Sequence, residues 1–267
     1  FFSRREDVEK IILDAFEGPL KRFFSTPLFK KIKELVERRK KETDLKKIRK
    51  EKKNVNIKFS HKYFPPTSRI AENLFIVEGL SAMGSILQKR NPARDGVYAL
   101  KGKIKNARNL SDLADNREIL ELMQILNLDP ENPSLQCPYE KIVISTDQDP
   151  DGAHITSLLI SLIFKWFPWI IEKKMLHFLE TPLVSAGDKS KLYFYSLGEF
   201  KEASAKKKFT NVRYLKGLGS LSLEDWDHVM KNKRIINIIK DKKSAHFLDM
   251  AFGKSADARK IWLSSFS

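Results

Sequence analysis

The 267-residue chain is poor in the residues that build metal centres from sulfur and imidazole. It holds one cysteine, Cys137, and five histidines. A single cysteine excludes a disulfide framework and a thiolate zinc site, and no two histidines stand at metal-ligand spacing. The cysteine count favours a reducing compartment, so we expect a cytoplasmic protein.

The sequence also lacks a membrane segment and a secretory leader. Its longest apolar stretch, residues 155–171, contains Lys165 and Pro168 and is shorter than the ~18 to 20 uncharged residues that span a bilayer. The first residues do not form a signal peptide, and without an initiator methionine they suggest a fragment or a processed chain. We expect no membrane partner and a buried helix over residues 155–171.

Nucleotide-binding glycine motifs are incomplete. Gly253-Lys254-Ser255 has Leu248 where a P-loop needs its first glycine, which excludes an ATP site of that kind in this chain. Residues 216–219 lack the third glycine of a dinucleotide fingerprint, and we interpret them as a tight turn with Lys216 near phosphate. The basic run at residues 101–105 contains a glycine that lets backbone approach a phosphate.

Positive charge is what the sequence has in excess. The 50 Lys and Arg residues outnumber the 34 Asp and Glu residues, for a formal charge of +16, which predicts a polyanionic partner. Thr26-Pro27 opens a predicted helix in the usual cap-then-proline order. Residues 30–53 of this helix carry 13 basic and 5 acidic side chains, so it is either solvated or lies on something negative, phosphates included.

Beyond Pro65-Pro66 short apolar runs alternate with amphipathic stretches. Strands are predicted at residues 74–77, 97–100, 141–145, 175–180, 191–196, 212–215 and 235–239. Helices are predicted at residues 81–89, 111–127, 151–174, 222–231, 242–250 and 255–263. Strands separated by helices indicate an α/β fold with a mainly parallel sheet. We therefore divide the chain into a helical segment, residues 1–62, and an α/β domain, residues 63–267.

Three carboxylates stand at alternate positions directly after the strand at residues 141–145. In an extended chain Asp147, Asp149 and Asp151 would point the same way off the carboxyl edge of the sheet. Carboxylates that close repel one another, and a hard divalent cation with oxygen ligands would offset the repulsion. The pattern predicts a divalent metal site at this edge.

Glu78 occupies an equivalent place, since it ends the strand at residues 74–77. It would face the aspartates if the two strands are neighbours, because active sites of open α/β sheets lie off the carboxyl ends of strands. An EF-hand is a poor alternative because its twelfth position is Leu158 and not glutamate. A helix-capping turn would explain only one of the three aspartates.

In this order the segments resemble the TOPRIM domain of type IIA DNA topoisomerases. The matching residues are Glu78-Gly79, Leu100-Lys101-Gly102-Lys103-Ile104, Thr146-Asp147-Gln148-Asp149-Pro150-Asp151-Gly152, Thr181-Pro182-Leu183 and Arg213-Tyr214-Leu215-Lys216-Gly217-Leu218-Gly219. The resemblance covers about residues 72–264 and implies a Rossmann-like fold. The helices of residues 4–53 look like the end of a transducer domain. The chain is thus similar to the C-terminal part of a gyrase B-type or large subunit, and its lysine content resembles a T-even phage enzyme.

The resemblance implies a composite active site. Glu78, Asp147 and Asp149 would be catalytic and would hold one or two Mg2+ ions, with Asp151 completing the site. A tyrosine on a gyrase A-like breakage subunit would attack double-stranded DNA, with two copies of each subunit, and ATP would be used by an ATPase domain outside this chain. A stand-alone TOPRIM nuclease or primase and a non-catalytic DNA-binding module are the alternatives.

The resemblance also implies roles for residues near these acids. Lys101, Lys103, Lys216 and His154 would contact DNA or the partner subunit. No nucleophile is expected in this chain, and Tyr214 is predicted to be a strand residue that packs the core. One departure from the family is Leu80, which stands where an aspartate is usual, and we expect Ser81 to cap the following helix instead.

Overall fold

A long helix leads into the α/β domain of the computed structural model, which describes residues 18–19, 22–57, 60–188 and 190–265. Helix α1 (Pro27–Asn54) begins as its sequence predicts, with Thr26 as N-cap accepting a hydrogen bond from the Phe29 N–H at 3.2 Å. Most of the predicted helix at residues 4–24 lies outside the described residues. No helix in these ranges is long and apolar enough to cross a membrane.

The main sheet has six strands in the order β1-β3-β2-β4-β5-β9. Its strands are β1 (Tyr63–Phe64), β2 (Ala71–Glu78), β3 (Asp95–Leu100), β4 (Tyr139–Ser145), β5 (Leu176–Glu180) and β9 (Arg234–Asn237). The four central strands are parallel and the two edge strands are antiparallel. This confirms the mainly parallel α/β fold. A second sheet joins β6 (Val184–Ala186), β7 (Leu192–Phe194) and β8 (Arg213–Tyr214) in the order β7-β6-β8.

Helices connect the strands and cover both faces of the main sheet. They are α2 (Gly79–Lys89), α3 (Leu110–Ala114), α4 (Arg117–Ile125), α5 (Pro150–Trp166), α6 (Pro168–Glu172), α7 (Leu197–Lys206), α8 (Leu223–Lys231), α9 (Ser244–Phe252) and α10 (Ala256–Ser264). Two predicted helices are each divided in two. Asn116 caps α4 and so separates it from α3, and Pro168 starts α6 after the end of α5. Strands β1 and β6 and helix α7 were not predicted.

The core forms on both faces because side chains alternate along β2. Leu74 and Ile76 pack on the face covered by α4, α5 and α6, where Phe167 is fully buried. Phe75 and Val77 pack on the opposite face, beneath α2 and α8. A strand that is buried on both faces has a continuous run of apolar residues, and this run is the pattern from which β2 was predicted.

The two halves of α1 have different surroundings. Leu45 and Ile48 of its second half are buried against α3 and α4. Lys47 and Arg49 form ion pairs of 2.7 and 2.9 Å with the carboxylates of Asp115 and Asp129. The second half of the basic helix therefore lies on negative side chains of the same chain, while its first half is exposed. The proposed division at residue 62 stays a prediction.

Candidate metal and DNA site

The strand register brings Glu78 beside the end of β4. Strands β2 and β4 are parallel neighbours, and Val77 pairs with Ser145. Glu78 closes β2, Asp147 lies two residues past β4, and the Glu78 carboxylate accepts a hydrogen bond from the Asp147 N–H at 3.4 Å. The two acids therefore meet at the carboxyl edge of the sheet, as expected if the strands are adjacent.

The surroundings of Glu78 oppose its ionised form. Partial burial raises the pKa of this carboxyl group above its ordinary value. The Asp147 N–H works against that shift, but the charges of Asp147, Asp149 and Asp151 raise the pKa further. A cation at this position would relieve the same repulsion.

Asp147 is fixed by a turn that lies 71 residues further along the chain. Its Oδ1 accepts a hydrogen bond from the Leu218 N–H at 2.7 Å. Gly217 packs so closely that a Cβ added there would lie 2.6 Å from Oδ2 of Asp147. A Cβ added at Gly152 would lie 2.1 Å from the Asp147 carbonyl oxygen. Both glycines are therefore required by close approach, and residues 216–219 form the predicted tight turn, with a 3-10 helix over Leu218–Ser220.

The remaining two aspartates do not converge with Asp147 as an extended chain would predict. Helix α5 starts at Pro150, so Asp149 is its N-cap and accepts a hydrogen bond from the Gly152 N–H at 2.8 Å. Asp151 turns outward to Lys103, whose ammonium group lies 2.7 Å away and lowers the pKa of the carboxyl. The expectation of three parallel carboxylates was therefore wrong, because the helix begins within the motif.

The donor set nevertheless has the chemistry of a hard-cation site. Glu78, Asp147 and Asp149 each keep one carboxylate oxygen without a hydrogen-bond partner among the described residues. Oxygen ligands of this kind suit Mg2+. In the described ranges no three acidic, histidine or cysteine side chains are already assembled around a common point. Binding would therefore require rotation of these side chains.

Basic side chains flank the acids at the positions named from the sequence. Lys101 and Lys103 are exposed on either side of Gly102, whose φ of +146° favours glycine. Lys216 is exposed next to Gly217. His154 is exposed on α5, and its ring stacks on Phe252 with centroids 6.4 Å apart. Their contact with DNA or a partner stays a prediction.

A cavity of about 740 Å3 opens beside Glu78. Lys101 and Gly102 line it, and so do Lys62 and Arg117. No local pattern in the sequence identifies these last two residues, because they reach the cavity through tertiary packing. Lys62 pairs there with Glu121 at 2.6 Å.

Gln148, between the first two aspartates, was also missed as a positioning residue. Its amide nitrogen donates to the Thr181 carbonyl and, at 3.1 Å, to the Thr181 hydroxyl. It therefore ties the acidic loop to the segment after β5. The sequence did contain a sign of this contact, because Thr181-Pro182-Leu183 is one of the segments that match the TOPRIM pattern together with the aspartates.

Two further expectations from the sequence were wrong. Helix α2 begins at Gly79, with φ of +79°, so Ser81 lies inside the first turn and makes no cap hydrogen bond. Tyr214 lies on β8, as predicted, but its side chain is 59% exposed and does not pack the core. A two-residue strand gives no periodicity from which its buried face could be inferred.

Comparisons with known proteins agree with this geometry. Residues 73–180 match the model of the Toprim domain, and residues 179–267 match the C-terminal associated domain of TOPRIM. The DNA topoisomerase 2 of Plasmodium falciparum is 34% identical over 213 residues, which cover 72% of this chain and 15% of that protein. The DNA topoisomerase 2 of Drosophila melanogaster is 34% identical over 205 residues, which cover 71% and 14%.

A solved structure is similar to most of the chain. It is the Plasmodium falciparum topoisomerase II DNA-binding, cleavage and re-ligation domain, with a TM-score of 0.67 and 27% identity. The similarity covers 78% of this chain and 32% of that one. The chain spans about 15% of the length of the curated relatives.

Proposed function

The chain carries a Toprim domain and the C-terminal domain associated with it, homologous to the cleavage and religation region of type II DNA topoisomerases, and on this premise we propose its function. It is the metal-binding part of an ATP-dependent type IIA enzyme, a gyrase B-like or large subunit of phage type. The observation that carries the proposal is the meeting of Glu78 and Asp147 at neighbouring strand ends, with Asp147 fixed by the turn at Gly217 and Leu218.

Mg2+ would be held by Glu78, Asp147 and Asp149, with Asp151 completing the site. One or two ions would stabilise the negative charge that develops on the 3′ oxygen of the cleaved strand. Glu78 would carry the proton during religation. Lys101, Lys103, Lys216 and His154 would hold the DNA or the partner subunit in place.

The nucleophile would come from a gyrase A-like breakage subunit, with two copies of each subunit in a cytoplasmic holoenzyme. The packing of this chain's own tyrosines supports this assignment. Five of the six phenol oxygens hydrogen-bond elsewhere in the fold, namely Tyr63, Tyr98, Tyr139, Tyr193 and Tyr195. Among the described residues none of the six contacts the Glu78 or Asp147 carboxylate through a hydrogen bond. The ATPase domain would lie outside this chain.

Asp147→Asn is the variant that tests the proposal. It removes the charge but keeps an oxygen that can accept from the Leu218 N–H. The chain is incubated with supercoiled plasmid, Mg2+ and a breakage subunit, and the reaction is stopped with detergent. We expect protein-linked DNA breaks to fall at least about a hundredfold, as when charge stabilisation of a transition state is lost. Unreduced breakage would refute the proposal.

Two controls define the result. Asp257→Asn removes an equal charge from an exposed position on α10, where the side chain is 90% exposed, and should leave breakage unchanged. Omitting the breakage subunit should abolish the protein-linked breaks. DNA breaks without a protein link, formed by this chain alone, would instead support the stand-alone nuclease, and protein-linked breaks formed by it alone would mean that one of its own tyrosines is the nucleophile.

A further inference from the structure

A second basic surface lies on the small sheet and α7 and begins next to the candidate metal site. It comprises the cations Lys206, Lys207, Lys208 and Lys216 and the aromatic residues Phe200, Phe209 and Tyr214, and we call it the lysine-aromatic surface. All four lysines and Tyr214 are exposed, and the two phenylalanines are partly buried. Among these residues only Lys216 was predicted from the sequence to contact DNA or a partner.

The aromatic residues form one packed row. The Lys207 ammonium lies 6.0 Å from the Phe209 ring centroid. Phe209 and Phe200 have centroids 6.1 Å apart, and Phe200 meets the Tyr214 ring edge to face at 6.1 Å. The row holds Tyr214 outward with 59% of its side chain exposed, and its hydroxyl has no hydrogen-bond partner in the described part of the chain.

The lysines of this surface carry uncompensated charge. None of the four forms an ion pair with a described residue, whereas Lys191, the residue before β7, is paired with Glu224. Among the acids nearby along the chain, Glu199 caps α7 and Asp188 accepts hydrogen bonds from Thr210 and Asn211. Glu202, one helical turn before Lys206, is exposed and forms no ion pair with a described residue, so the four lysines still outnumber the free acids. A surface of this charge attracts a polyanion.

The lysine-aromatic surface is continuous with the candidate metal site. Lys216 precedes Gly217, which touches the Asp147 carboxylate. At about 3.3 Å per residue Tyr214 lies within roughly 10 Å of Gly217. One helical turn of B-DNA measures about 34 Å, so a duplex at the metal site is long enough to reach Tyr214 and the rings that pack against it.

We propose that the lysine-aromatic surface binds the phosphate backbone of the duplex DNA that flanks the cleavage site. Lys206, Lys207, Lys208 and Lys216 contact phosphates, and the Tyr214 hydroxyl donates to a phosphate oxygen. The inference rests on the proposed function, since it takes the DNA at the metal site as its starting point. It adds a binding surface that the carboxylate site does not include.

The test compares two triple variants that each lose three positive charges. Lys206, Lys207 and Lys208 are replaced by glutamine in one, and the exposed Lys141, Lys173 and Lys174 in the other. The second set lies at the amino-terminal edge of β4 and β5, away from the carboxyl edge. Affinity for a labelled 30-base-pair duplex is measured by fluorescence anisotropy between 50 and 200 mM salt.

We expect the first triple variant to reduce the slope of log affinity against log salt by about 2 to 3, at about 0.9 for each phosphate contact. The second variant should keep the original slope. Equal reductions in both variants, or no reduction in the first, would overturn the proposal. Tighter binding to a single strand of the same length than to the duplex would overturn it as well.

Two single variants test the Tyr214 hydroxyl and the metal site separately. Tyr214→Phe should weaken duplex binding about tenfold with little change in salt slope, because it removes one hydrogen bond to a charged group. Unchanged affinity would overturn the assignment of the hydroxyl. Asp147→Asn should lose DNA breakage and keep the salt slope, so failure of the proposed function and failure of this surface give different results.

Discussion

Replacing Asp225 with asparagine tests what holds the small sheet to the main domain. Asp225 is fully buried at the start of α8 and accepts hydrogen bonds from the Ser222 N–H and hydroxyl, both at 2.8 Å, and from the Tyr193 hydroxyl at 3.0 Å. Arg213 and Lys191 lie 3.2 and 3.5 Å from its oxygens. Its partners therefore come from β8, from β7 and the residue before it, and from the N-terminus of α8.

The loss in the free energy of unfolding caused by Asp225→Asn depends on the burial of this side chain and on the number of groups that donate hydrogen bonds to it. Asparagine keeps one acceptor oxygen, but it removes the charge and turns an amide donor toward the remaining cations. Breaking a buried ion pair by changing one partner costs about 3 to 5 kcal/mol. Arg213 and Lys191 are partly exposed, so water replaces some of the interaction, and we expect a loss of about 3 kcal/mol. Domains are stable by about 5 to 15 kcal/mol in total.

The pH dependence of stability gives an independent check on the same residue. Burial alone would raise the pKa of Asp225, but the hydrogen bonds from Ser222 and Tyr193 and the charge of Lys191 outweigh burial and lower it below 3.8. A carboxyl group with a lowered pKa stabilises the fold above its unfolded pKa, and this contribution is lost as the pH falls through the folded pKa. The unchanged chain should lose stability below about pH 4, and Asp225→Asn should lose less over the same range.

Urea unfolding followed by tryptophan fluorescence measures both effects, since Trp226 is buried on the same helix. With a slope of about 2 to 3 kcal/mol per molar urea, the midpoint should fall by about 1 M. Asp227→Asn is the matched control, because Asp227 lies two residues further along α8 and forms exposed ion pairs with Lys89 and Lys231. Similar losses in the two variants would refute the reasoning.

Two further predictions concern the site and the long helix. Gly217→Ala should reduce DNA breakage at least tenfold, because its Cβ would displace the Asp147 carboxylate, whereas Gly219→Ala, with open space around it, should retain breakage in the same plasmid assay. Ile48→Ala should cost about 2 to 4 kcal/mol in urea unfolding, because it empties a buried contact between α1 and the domain, and should speed proteolysis within α1. Ile32→Ala, which is 42% exposed on the same helix, should do neither, and equal effects would contradict the docking of α1.

The sequence predicted those parts of the fold that rest on local pattern. Continuous apolar runs predicted β2 and β4 because both faces of these strands are covered. Their adjacency then placed Glu78 beside Asp147, which the spacing of motifs alone could not establish. Pro168 indicates that α5 and α6 are separate helices, but the continuous apolar run across it led to the prediction of one helix.

The rest depends on partners that are distant along the chain. The Asp225 cluster joins residues 191, 193, 213 and 222, and no local pattern distinguishes a buried aspartate of this kind from an exposed one on an amphipathic helix. The hydrogen bond from the Leu218 N–H to Asp147 and the exposure of Tyr214 also cannot be predicted from the periodicity of apolar residues. Helix α7 did carry a capping-box signal at Ser196 and Glu199, but its weak apolar stripe left it unpredicted.

The hydrogen bond from the Leu218 N–H to Asp147 also sets when the site can form. Glu78, Asp147 and Leu218 are separated by 69 and 71 residues, so the site closes only after three distant segments have found one another. Contacts of such long range form late, since loop closure must precede them. A growing chain that has reached Asp151 already carries all four acids but cannot yet hold Asp147 in place. Assembly of the site thus requires the pairing of β2 with β4 and the placement of the turn at Leu218, so Asp147 is held in position only in a molecule complete through residue 218.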